Sequence, residues 1–178
     1  MKLGFSEKLL WAEKAARLDV ETEKGYREFY AIAKRSGLGE MWLSYYANAY
    51  EAAGASGLRA LSYRRKIAPE IRKHAIDKIS KYLVRRVPVH LRSEVGFLVK
   101  AQDNRITVSE ERPLLADPTE TSCSDVFQVR YTDFDNRWHL YWMRKSGTWW
   151  PYIPDRPIHT IQDCIREVKA DSWGCFWV

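Results

Sequence analysis

Up to Pro88 the apolar residues of this chain recur with the 3.6-residue period of a helix; beyond it they alternate with polar ones. A first helix is predicted from Phe5 or Ser6 to Leu18, with Leu9, Leu10 and Trp11 as its apolar content. Asp19 and Thr22 both suit the cap of a second helix, whose Tyr26, Phe29, Tyr30 and Ala33 share a face and whose end is marked by Gly37. A third helix is predicted from about Gly39 to Ala53, carrying Trp42, Tyr45, Tyr46 and Ala49, with Gly54 and Gly57 punctuating a loop. Pro69 opens a fourth, with Ile71, Ala75, Ile79 and Leu83 as its apolar stripe.

Strands follow. Val95, Phe97 and Val99 alternate, Asp103-Asn104 makes a turn, and Ile106-Thr107-Val108 returns. Phe127, Val129 and Tyr131 form a second alternating set, and the turn Asp133 to Asn136 leads into Trp138, Leu140 and Trp142. Ser146-Gly147 turns into Trp149 to Tyr152. Thr160 with Asp163 is a capping box for a last helix faced by Ile161, Cys164, Ile165 and Val168, and Trp173, Phe176 and Trp177 are expected to close the sheet's edge. The fold class predicted is α+β: an N-terminal helix-turn-helix bundle, then an antiparallel meander packed with a C-terminal helix. The segments expected are a bundle over 1–57, a basic connector and helix over 58–87, and a sheet-plus-helix domain over 88–178.

Composition narrows the class. A chain of 178 residues, 46% hydrophobic and 29% charged, holds a core without staples and offers no apolar run long enough for a membrane. The first residues have no signal-peptide pattern. Cys123, Cys164 and Cys175 are odd in number and irregularly spaced, which argues for reduced, buried thiols, no metal and a cytoplasmic location. No cofactor motif appears. The net charge of +6 is unevenly spread: residues 58–90 hold ten Lys and Arg against Glu70 and Asp77, whereas the flanking segments are neutral or slightly acidic. Clustered cations of this kind point to a phosphate-bearing partner.

The segments Ala33-Lys-Arg-Ser-Gly37-Leu38 and Tyr46-x3-Tyr50-x3-Gly54-x2-Gly57-Leu58 resemble a helix-turn-helix of transposase-like and regulatory proteins. The third helix departs from that pattern, because it lacks Arg and Lys through Tyr50 and begins with Glu40. Farther on, RRVPVHLRSEV, ITVSEERPLL, VFQVRYT, WHLYWMRKSGTWWPYIP and ADSWGCFW, in this order over residues 82–178, resemble the family called domain of unknown function 3024. Ser109 and Val178 depart from it, where an apolar residue and a glycine are usual. That resemblance implies a fold and no catalytic residues.

The function expected is non-catalytic binding of nucleic acid, with double-stranded DNA as partner. Arg59, Arg64, Arg65, Lys66, Arg72 and Lys73 are the candidate phosphate contacts, and Ser44, Tyr45 and Asn48 the candidate base readers. Trp149 and Trp150, adjacent and so facing opposite ways, are candidate contacts for a protein partner or for self-association. Two alternatives stand beside this reading. One is an interaction adaptor built on the helix-turn-helix scaffold; the other is an enzyme using Glu110 or Glu111, which alternate across a strand and so cannot act as an adjacent pair.

Overall fold

The computed structural model describes residues 3–114, 117 and 119–177. Its elements are α1 (Phe5–Ala16), α2 (Glu23–Ser36), α3 (Glu40–Ala60), α4 (Pro69–Arg86), a 3-10 turn (Val89–Leu91), β1 (Gly96–Gln102), β2 (Arg105–Pro113), β3 (Thr121–Thr132), β4 (Arg137–Met143), β5 (Trp149–Pro151) and α5 (Ile161–Ala170). They form an α+β fold of two compact units, Met1–Tyr63 with Pro151–Pro157, and Arg64–Trp150 with Ile158–Val178.

In the first unit, Thr22 caps α2 by accepting from Gly25 N–H at 3.1 Å, and Gly37 ends it in the left-handed region at φ 67°. Phe29 and Ala33 of α2 meet Leu43 and Ala47 of α3 and Ala15 of α1 in one apolar cluster. Periodicity predicted Phe29 and Ala33 but not the α3 face: Tyr26, Tyr30 and Trp42, expected on the buried faces, are exposed, and the smaller or aliphatic Leu43 and Ala47 fill the core in their place. The expected loop at Gly54 and Gly57 is instead a break: Ala53 and Gly54 leave helical geometry, and helix resumes to Ala60. Close approach explains why the second glycine is needed. A Cβ on Gly57 would lie 1.9 Å from the Ala49 carbonyl oxygen, so only a bare backbone lets the resumed turn pack against the first half of α3.

The second unit is built on one antiparallel sheet in the order β1-β2-β3-β4-β5. Ile106 pairs with Val129, which pairs with Leu140; Val108 pairs with Phe127, and Tyr131 with Trp138. This register puts the large apolar side chains on one face, against Ile161, Cys164, Ile165 and Val168 of α5, all buried. A bulge between Val108 and Ser109 shifts the register, and there the Ser109 hydroxyl donates to Asp125 Oδ1 at 2.6 Å. That bond is what allows a buried serine at a position where the family resemblance calls for an apolar residue. Helix α4 contacts both β1 and α5, burying Ala75, Ile79 and Leu83 within this same unit.

The chain end is tied down by Asp171. Its carboxylate accepts the N–H groups of Cys175, Phe176 and Trp177 at 2.7, 3.2 and 3.1 Å. Phe176 then packs edge-on to Phe127, and Trp177 edge-on to Phe97 while its indole N–H donates to Val168 O at 2.9 Å. Trp173 does not share in this closure: it is 67% exposed, because the turn that aims Phe176 and Trp177 inward carries Trp173 outward. Nor are all three thiols buried. Cys164 is, and burial pushes its pKa up, but Cys175 is half-buried and Cys123 is exposed on the outer part of β3.

Candidate nucleic-acid interface

The basic segment is built on the second unit. Ile67 is buried and its N–H donates to Asp103 O at 3.1 Å, which anchors Arg64, Arg65 and Lys66 beside the β1–β2 turn. Arg65 reaches Asp133 at 3.7 Å. Pro69 then starts α4, where a missing N–H costs nothing. With Ala75, Ile79 and Leu83 turned to the core, Arg72, Lys73, Lys78, Lys81, Arg85 and Arg86 are left exposed. Arg86 is committed to packing, its guanidinium 3.7 Å from the centre of the Trp177 ring. Among the described residues, Lys66, Arg72, Lys73, Lys78, Lys81 and Arg85 make no ion pair. The remaining candidate phosphate contact, Arg59, belongs to the first unit, where its guanidinium lies 5.1 Å from the Phe5 ring centre.

Ser44, Tyr45 and Asn48 all lie on α3 and are half-buried. The Tyr45 ring stands edge-on to Trp42 at 5.8 Å and beside Tyr46 at 6.0 Å. The exposed residues at the start of this helix are Glu40, which accepts from Tyr26 Oη at 3.3 Å, Met41 and Trp42. Of the two adjacent tryptophans, Trp150 is 6% exposed with the Arg144 guanidinium 4.4 Å from its ring, so Trp149 is the one left with accessible surface. Glu110 is ion-paired with Arg112 at 3.0 Å, and Glu111 lies opposite Gly96 on β1.

Sequence reasoning did not find that the polar face of the sheet is buried. The register aligns Thr107 with Gln128 and Tyr141 in one row across β2, β3 and β4, and Arg105 with Arg130 and His139 in the next. A polar side of an antiparallel sheet ordinarily faces water. Here Gln128, Arg130, Thr132, His139 and Tyr141 are buried and Arg105 is half-buried. Gln128 donates to Thr107 Oγ1 at 2.9 Å and accepts from Arg130 Nε at 2.7 Å, and the Arg130 guanidinium lies 3.8 Å from the Tyr141 ring centre. No carboxylate lies within ion-pair distance of Arg105 or Arg130 among the described residues, and the buried Nε of Arg105 has no hydrogen-bond partner there. Burial, then the neighbouring guanidiniums of Arg130 and Arg64, lower the pKa of Arg105.

His139 does not add to this charge. Burial takes its pKa down to about 4, outweighing the opposing pull of Asp135, so it is neutral at pH 7. Thr132 Oγ1 has one proton, which goes to Asp135 Oδ1 at 2.5 Å; its 3.1 Å contact with His139 Nε2 therefore requires the proton on that ring nitrogen. The signal available in the sequence was Gln128, Arg130 and Thr132 alternating with Phe127, Val129 and Tyr131. It marks a polar face, but not its burial or the pairing of Arg105 with Arg130.

Residues 68–178 match the family described as "Domain of unknown function (DUF3024)", and the chain belongs to that family. The match takes in all of α4 as well as the sheet and α5, so it begins ahead of the motifs at residues 82–178. No curated protein and no solved structure matches the chain.

Proposed function

We propose that this protein binds nucleic acid without catalysis, with double-stranded DNA as the partner and the second unit supplying the phosphate contacts through residues 64–66 and the exposed side of α4. The observation that carries the reading is the surplus of positive charge there: nine Lys and Arg over residues 64–86 against Glu70 and Asp77. Lys66, Arg72, Lys73, Lys78, Lys81 and Arg85, which make no ion pair among the described residues, gain most by neutralising phosphates and releasing their counterions. Asn48, Ser44 and Tyr45 remain the candidate base readers under the helix-turn-helix reading, with Asn48 favoured because an amide pairs with adenine.

Binding to random duplex DNA across a salt series tests this. If about six phosphates are neutralised, log affinity falls against log salt with a slope near −5. Replacing Lys66, Lys73 and Lys81 by Ala should flatten the slope by about one per residue and weaken all sequences alike. A flat response, or no binding at low salt, overturns the reading. An adaptor function would then be preferred, supported by Tyr26, Tyr30, Met41 and Trp42, which are 51%, 54%, 59% and 49% exposed on α2 and α3.

A further inference from the structure

We propose that the sheet face carrying Arg105 and Arg130 is a binding site for a phosphate group. The two arginines are register partners on adjacent strands, so their Cα atoms are about 5 Å apart and both side chains leave the same face of the sheet. Two guanidiniums so close repel one another, and the repulsion grows as water is excluded. A protein usually offsets such a pair with carboxylates, yet among the described residues neither has one within ion-pair distance. The Asp103 carboxylate acts on Arg105 only from beyond ion-pair distance and opposes burial and the guanidiniums of Arg130 and Arg64 without outweighing them, so the pair is left with an excess of positive charge that an anion from outside the chain would offset.

The donors are arranged rather than loose. Arg130 is 4% exposed, held at Nε by Gln128 and on its flat side by Tyr141, and Gln128 is itself fixed by Thr107. With Nε occupied, the four remaining N–H donors of Arg130 are on the two terminal nitrogens. Arg105 sits across from it with a buried, unpartnered Nε and is only half-buried overall, which keeps an approach from solvent. One guanidinium fork saturates the two oxygens of a carboxylate, whereas two guanidiniums on neighbouring strands suit the charge and the greater number of oxygens of phosphate. His139, the third residue of the row, is neutral and held by Thr132, so the positive charge of the row rests on the two arginines.

This proposal does not depend on DNA binding by α4. The full chain is titrated with inorganic phosphate at neutral pH, ionic strength being held constant with sodium chloride, and followed by calorimetry and by the arginine Nε–H signals in nitrogen–proton spectra. The expected result is saturable binding that moves the Nε–H signals of Arg105 and Arg130. Affinity should fall at least tenfold in Arg105→Met and Arg130→Met and stay unchanged in Lys169→Ala, an exposed site at the end of α5. Absence of saturable binding, signals that do not move, or equal affinity in folded Arg130→Met overturns the proposal. Should a methionine variant fail to fold, the wild-type Nε–H signals still decide. Competition by a short duplex without terminal phosphates assigns the ligand to a nucleic-acid backbone. Competition by a mononucleotide alone assigns it to a free phosphomonoester, and either result upholds the site.

Discussion

Lowering the pH from neutral should destabilise this protein well before its carboxylates titrate, and His139 is the cause. Its pKa is about 4 in the folded chain against 6.5 when unfolded, so the unfolded chain takes up the proton first as pH falls. A group depressed in this way contributes stability that is complete above the unfolded value and is lost between the two values; below the folded value nothing more is lost. With those values, the loss between about pH 7 and pH 5 is about 2 kcal/mol. Asp163 behaves differently: burial acts upward on it, but hydrogen bonds from Thr160, His159 and Arg166 prevail and take it down to about 2. Its contribution is therefore lost only below about pH 4, where an unpaired aspartate begins to protonate. Urea denaturation of wild type and His139→Gln at the two pH values isolates the histidine. The glutamine variant, which keeps a donor for Thr132, should lose most of the pH difference whatever its absolute stability. Equal losses in the two proteins would refute the argument, as would a directly titrated His139 pKa near that of a free imidazole.

Substitutions at four positions test the packing. Phe176→Ala should cost about 3–5 kcal/mol in thermal or urea unfolding, whereas Trp173→Ala, the larger truncation, should stay within about 0.5 kcal/mol because its ring is in water. Gly57→Val would drive a side chain into the Ala49 carbonyl, and a loss of about 1–3 kcal/mol in the first unit, read by hydrogen exchange of α3, is expected; a neutral result would mean that α3 does not double back so tightly. Asp171→Ala strands three N–H groups and should release Trp177, seen as faster exchange of its indole N–H and about 2–3 kcal/mol of lost stability. Asp171→Asn, which keeps an acceptor and tolerates the φ of 42°, should lose less than half of that.

The linear sequence by itself determined the elements and their caps. Periods of 3.6 and 2 follow from backbone geometry within a segment, so Phe29 with Ala33, or Val129 with Tyr131, share a face wherever the segment ends up. Thr22, Gly37, Pro69 and the Thr160–Asp163 box act on backbone groups a few residues away and were legible for the same reason. The ordered motifs from residue 82 onward carried the family. What only the tertiary structure decided involves partners far apart in the chain. Pro88 and the change of period suggested a boundary between residues 87 and 88, but α4 packs on β1 and α5, a preference written in residues on both sides of that point. Alternation indicated that Arg130 leaves one side of β3 and could not indicate that Arg105 faces it, because register across strands is set by the whole pairing and shifts at a bulge. Nor does a polar residue type state its own burial. The types of Arg130 and His139 do not reveal that both are buried, and it is their exclusion from water that holds one guanidinium in place and keeps the other side chain neutral.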